Sequence, residues 1–119
     1  MSEKNTLKDI MDEQRDFQKN FFNPDDISEE DKIKFTKENI LSLHRELGEV
    51  LNEIPWKTHR ANVPDYNLNN IHEELIDCFK FLLNVCIIWG MNTEILYNTF
   101  MMKSAIVRQR YLNEKDSIK

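Results

Sequence analysis

The 119-residue sequence predicts an all-α fold, a four-helix bundle completed by oligomerisation. Three observations lead there. Two glycines and three prolines leave little turn material, which favours long helices over many short strands. Apolar residues recur at helical spacing, as in Leu43, Leu47, Val50, Leu51 and Ile54. The run from Cys78 to Trp89 is apolar at ten of twelve positions. The polar residues of that helix, Glu73, Glu74, Asp77, Lys80 and Asn84, share one arc of roughly 120°. A helix so widely apolar needs cover on several sides, more than one small subunit supplies.

The first helix is expected from Leu7 to Phe22, with Asn23-Pro24 as its stop. Phe17 and Phe21 are expected in the core. The second opens at Ser28, where Ser28-Glu29-Glu30-Asp31 makes a loose capping box, and ends near Ile54 because Pro55 follows. The third runs from Leu68 to Trp89, with Gly90 as its C-terminal stop. The fourth starts after Asn92, an N-cap residue, and reaches about Asn113. Residues 1–119 make one domain, and 1–6 and 114–119 are expected to fray.

A net charge of −5 argues against holding a nucleic-acid polymer by bulk charge. The opening Met1-Ser2-Glu3-Lys4-Asn5 lacks the apolar core of a signal peptide, and the Cys78–Trp89 run is too short to span a bilayer. Cys78 and Cys86 are eight residues apart on one helix, roughly 12 Å at helical rise, too far for a disulfide. Two thiols without a disulfide framework fit a reducing cytoplasm.

The chemistry lies in two carboxylate pairs. Glu46-Leu47-Gly48-Glu49 and Glu74-Leu75-Ile76-Asp77 are separated by 24 residues. Residues three apart share a helix face, so each pair aims two oxygen ligands one way. Two such helices packed antiparallel converge four carboxylates, an arrangement that repels itself without a divalent cation. A hard cation such as Mg²⁺ takes oxygen ligands and recruits substrate phosphates as others. A solvated acidic face explains one such pair, but Glu74 and Asp77 open an apolar helix, where unpaired carboxylates are costly. Gly48, helix-disfavoured by about 1 kcal/mol relative to alanine, points to close approach by a ligand or another backbone. Glu53 is expected to be the more exposed acid of the stripe or an outer ligand.

No histidine stands three after a glutamate, which excludes the Glu-x-x-His pattern of di-iron bundles, and there is no Cys/His cluster for zinc. Neither a nucleophile elbow nor a Gly-rich phosphate loop occurs. Phosphates would therefore meet metal and side chains: Lys57 past the second helix, and Lys103 and Arg110 seven apart on the fourth. Each of these also fits an ordinary surface or helix-end charge. Gln14 and Gln18 on the first helix, beside Phe17 and Phe21, have the residue types of a nucleobase pocket.

The run Glu46-Leu47-Gly48-Glu49-Val50-Leu51-Asn52-Glu53, then Trp56-Lys57, then Glu73-Glu74-Leu75-Ile76-Asp77 resembles the all-α nucleoside triphosphate pyrophosphohydrolases. That superfamily includes dimeric dUTPases, dCTP pyrophosphatases and MazG-like enzymes. Met91-Asn92-Thr93-Glu94-Ile95-Leu96-Tyr97 and the stretch from Lys103 to Tyr111 are similar to it as well, so the resemblance covers about residues 10 to 112. It implies a MazG-like or dimeric-dUTPase-like bundle. It implies Mg²⁺ held by Glu46, Glu49, Glu74 and Asp77, and phosphates touched by Lys57, Lys103 and Arg110. Gln14, Gln18, Trp56 and Asn84 would lie about the base and sugar, and Glu49 would orient or deprotonate the attacking water. The implied reaction is Mg²⁺-dependent hydrolysis of dUTP or dCTP to the monophosphate and pyrophosphate in a cytoplasmic homo-oligomer, dimer or tetramer. Val107 stands where the family pattern often has Asn, and the Gly-Tyr-rich tail and long insertion of dimeric dUTPases are absent. A broad MazG-like house-cleaning activity and a non-catalytic helical interaction module are the alternatives.

Overall fold

The computed structural model describes residues 6–55 and 65–117. Among them are four helices and no strand: α1 Leu7–Gln18, α2 Glu29–Asn52, α3 Leu68–Ile88 and α4 Thr93–Ser117. No helix among the described residues is long and apolar enough to cross a membrane.

Local chemistry sets most boundaries. Thr6 caps α1 in a full capping box: its hydroxyl accepts the Asp9 N–H while the Asp9 side chain accepts the Thr6 N–H. Ser28 accepts the Asp31 N–H at 3.1 Å, Asn67 the Asn70 N–H at 3.1 Å, and Asn92 the Ile95 N–H at 2.8 Å. Gly90 ends α3 at φ +79°. Its N–H donates to the Ile87 carbonyl and the Met91 N–H to that of Cys86, the paired bonds of a Schellman stop.

Helix α1 stops a turn earlier than its expected end at Phe22. The Asn20 side-chain amide and backbone N–H both donate to the Phe17 carbonyl, and Phe21 bonds back three residues to Gln18, so the chain tightens into turns. Phe22 then stacks on Phe35 of α2, with ring centroids 5.3 Å apart. Helix α4 instead runs beyond Asn113, to Ser117.

Helices α2 and α3 form an antiparallel pair that organises the molecule. Trp89 Nε1 donates to Thr36 Oγ1 at 2.8 Å, Asn84 to Asn39 at 2.9 Å, and the α3 start meets Glu46, so partners descend α3 as they ascend α2. Helix α1 lies on α3, where Met11, Leu83 and Ile87 make the core, with Leu7 and Leu96 packed against it. Beyond Leu96, α4 leaves the bundle. Among the described residues its backbone approaches α1 alone, and none of its residues is buried. Phe100 is 66% exposed, and Met101, Met102, Val107, Tyr111 and Leu112 are also open to solvent, as are Leu75, Ile76, Phe79 and Leu82 on α3.

The chain exposes 9710 Å², against about 6,800 Å² for a compact monomer of this mass. Its radius of gyration is 18.6 Å, against about 13.5 Å for a globule of this length. The exposed apolar side chains gathered on α3 and α4 are characteristic of an interaction face.

Candidate functional site

Two features meet along the α2–α3 seam. The first is acidic. One carboxylate oxygen from each of Glu46, Glu74 and Asp77 lies within 4.8 Å of the others. The helix pairing causes this: Glu74 and Asp77 share a face of α3 one turn apart, and the antiparallel register brings Glu46 of α2 between them. Glu46 is half-buried, with Arg45 Nη2 at 3.7 Å. Glu74 is half-buried, and its Oε2 is fully shielded with no hydrogen-bond partner among the described residues. Burial pushes the Glu74 carboxyl above its ordinary range; the proton it shares with Glu46 when protonated, and the charges of Glu46, Asp77 and Glu49, push the same way. Burial, then the same three clustered acids, also holds the Cys78 thiol above its ordinary pKa, so it stays protonated beside them. Both cysteines are free.

Surface acids gather without a metal often enough that proximity alone decides little. The shielded Glu74 oxygen, unpartnered among the described residues, is what fits the trio to a cation, because an ionised carboxylate is not left without a donor at no cost. Octahedral Mg²⁺ places its oxygen ligands about 3.0 to 4.2 Å apart, so small side-chain rotations would close the trio onto the ion. The donor set, all oxygen, suits Mg²⁺ rather than a softer metal.

Glu49 stands outside this trio. It is exposed, and its charge reaches Glu74. Glu53 is half-buried at the C-cap of α2 while Glu49 is exposed, so Glu53 is not the more exposed acid of the stripe. Around Gly48 the structure is open: among the described residues nothing lies within 4 Å of an added Cβ.

The second feature is a cleft of about 270 Å³ beside the acids, lined by Phe17, Gln18, Phe21, Phe22, Phe35 and Phe81 together with Glu38, Asn39, Ser42 and Asn84. Phe17 and Phe21 are 52% and 60% exposed rather than core. They meet edge to face at 5.5 Å and wall the cleft, because the chain turns after Gln18 and leaves this side of α1 without a covering helix. Gln18 is 5% exposed, and its amide makes no hydrogen bond among the described residues. Asn84 is held from both sides: Gln14 Nε2 donates to its Oδ1 at 2.6 Å, and its Nδ2 donates to Asn39 Oδ1 at 2.9 Å. Gln14 therefore sits in the buried bridge behind the cleft rather than on its wall.

Of the other sequence-predicted site residues, Trp56 and Lys57 lie outside the described residues. Lys103 and Arg110 sit on α4, beyond Leu96 where it touches the core, and among the described residues that helix has no backbone contact with α2 or α3. Sequence reading missed Asn39 and Ser42. Their signal was spacing: they precede Glu46 by seven and four residues, the same face of α2.

This arrangement is a metal-fit acidic cluster one helical turn from an aromatic, amide-bearing slot. Residues 6–119 match the model of the dUTPase family. The chain belongs to that family. It is an all-helical family of the dimeric-dUTPase and MazG-like type, and membership supports an enzyme of the nucleotide pyrophosphatase kind. No curated protein and no solved structure matches the chain significantly.

Proposed function

We propose that this protein hydrolyses a nucleoside triphosphate, dUTP or dCTP foremost, to the monophosphate and pyrophosphate, with Mg²⁺ held by Glu46, Glu74 and Asp77 and approached by Glu49. The observation that carries the proposal is the carboxylate trio, whose member Glu74 has one shielded oxygen without a donor among the described residues, set on the same helix pair as the aromatic cleft. Ser42 lines the cleft and precedes Glu46 by four residues, about 6 Å of helix. A base between the phenylalanines would thus send its phosphates toward the acids.

In this reading the phenylalanines hold the base by its faces, and the unpartnered Gln18 amide offers a donor and an acceptor to its polar edge. When bound, Mg²⁺ neutralises phosphate charge and acidifies a coordinated water. Glu49, the exposed acid beside the trio, takes the proton of the attacking water. The water oxygen ends on one phosphorus of the α–β bridge, the bridging bond breaks, and its electron pair leaves with the other phosphate group. The exposed apolar faces of α3 and α4 support a homo-oligomer, dimer or tetramer, as the working form.

A panel of deoxy- and ribonucleoside triphosphates with Mg²⁺, scored for pyrophosphate release, tests the proposal. Strong preference for dUTP or dCTP supports it. Equal turnover of many triphosphates favours the house-cleaning reading, and no turnover with no Mg²⁺ binding favours the non-catalytic module.

A further inference from the structure

We propose that Lys80 is the cation by which this chain grips the first phosphate of its nucleotide, an inference that rests on the nucleotide-binding reading above. Lys80 follows Asp77 by three residues and precedes Asn84 by four, so it shares the α3 face that carries both the acids and the cleft. A nucleotide lying along that face with its base at Asn84 and its outer phosphates at Asp77 must, by covalent order, place its sugar and first phosphate between them. Lys80 is the residue there.

Its surroundings fit a cation kept for a ligand. Three carboxylates cluster about a turn away, yet Lys80 makes no ion pair among the described residues. Its ammonium instead rests 3.4 Å from Gln14 Oε1 on α1, a long and weak bond that a phosphate would readily replace. That bond starts a one-way chain: Lys80 donates to Gln14, Gln14 to Asn84, Asn84 to Asn39, and Asn39 to the Phe35 carbonyl at 2.7 Å. The ammonium is thereby held against the bridge that fixes Asn84, a residue of the cleft wall. Among the described residues, Lys103 and Arg110 lie on α4, which has no backbone contact with α2 or α3, and Arg45 is engaged by Glu46 at the acids themselves.

The test compares full-length wild type, Lys80→Met and Lys80→Arg by calorimetry in Mg²⁺, using deoxyuridine and deoxycytidine and their monophosphates. Lys80→Met should weaken the preferred monophosphate tenfold or more while changing its parent nucleoside less than threefold. Lys80→Arg should recover most of the loss. Circular dichroism and melting establish that both variants fold. Monophosphate binding by Lys80→Met within threefold of wild type would overturn the inference while leaving the functional reading intact. So would equal losses of nucleoside and monophosphate, because Lys80 would then serve the cleft or the fold. A wild type that binds neither monophosphate and releases no pyrophosphate from any triphosphate overturns the functional reading, and the inference with it.

Discussion

Replacing Glu74 by Gln separates a metal site from an accidental gathering of acids. In wild type, Mg²⁺ at a hundredfold excess over its dissociation constant should stabilise the folded chain by about 2.7 kcal/mol. An unfolding entropy of about 2.1 cal/mol/K per residue gives about 0.25 kcal/mol/K over 119 residues. The melting temperature should therefore rise by roughly 11 °C. Glu74→Gln should lose most of that rise. In EDTA the order inverts: the variant should melt above wild type at neutral pH, because its amide can donate to Glu46 where the native oxygen has no donor. The sign with pH follows. Glu74 titrates above its ordinary value of 4.5 in the folded chain. The folded state therefore holds its proton longer than the unfolded state, and the metal-free wild type loses stability as pH rises from 4.5 through the raised value. Differential scanning fluorimetry over this range, with Mg²⁺ and with EDTA, reads both effects. An unchanged Mg²⁺ response in Glu74→Gln, together with a lower melting temperature in EDTA, would refute the reasoning.

Glu49→Gln should cut pyrophosphate release by about 10² to 10⁴ and Asp77→Asn should abolish it, with Glu53→Gln less affected and circular dichroism unchanged in all three; near wild-type turnover in Glu49→Gln would show that the catalytic face is misassigned. Sedimentation at micromolar concentration should give at least a dimer, and a cooperative 14.3 kDa monomer would leave the exposed faces of α3 and α4 unexplained. Gly90→Ala should destabilise the fold by about 1 to 2 kcal/mol through its left-handed backbone, measured by urea melts; a neutral result would mean that the α3 stop is set elsewhere.

The helices and the spacing of the acid pairs are legible from local sequence alone. Caps and stops are local chemistry: Ser28, Asn67, Asn92 and Gly90 act on backbone groups within three or four residues, so no distant neighbour is needed to read them. The same holds for Glu74 and Asp77, whose shared face follows from three-residue spacing. Tertiary structure decided what faces what. Phe17 and Phe21 have core composition, and only the early turn after Gln18 turns them into a cleft wall. Gln14 and Gln18 are the same residue four apart, yet one is locked in a bridge to Asn84 and the other has no side-chain partner among the described residues. Lys103 and Arg110 share a face of α4, but helix spacing says nothing of where α4 packs, and among the described residues its backbone meets neither α2 nor α3. Which oxygen of Glu74 is shielded without a donor depends on the register of α2 against α3. That register is set by many weak side-chain contacts between residues distant in sequence, so it could not be read from local pattern.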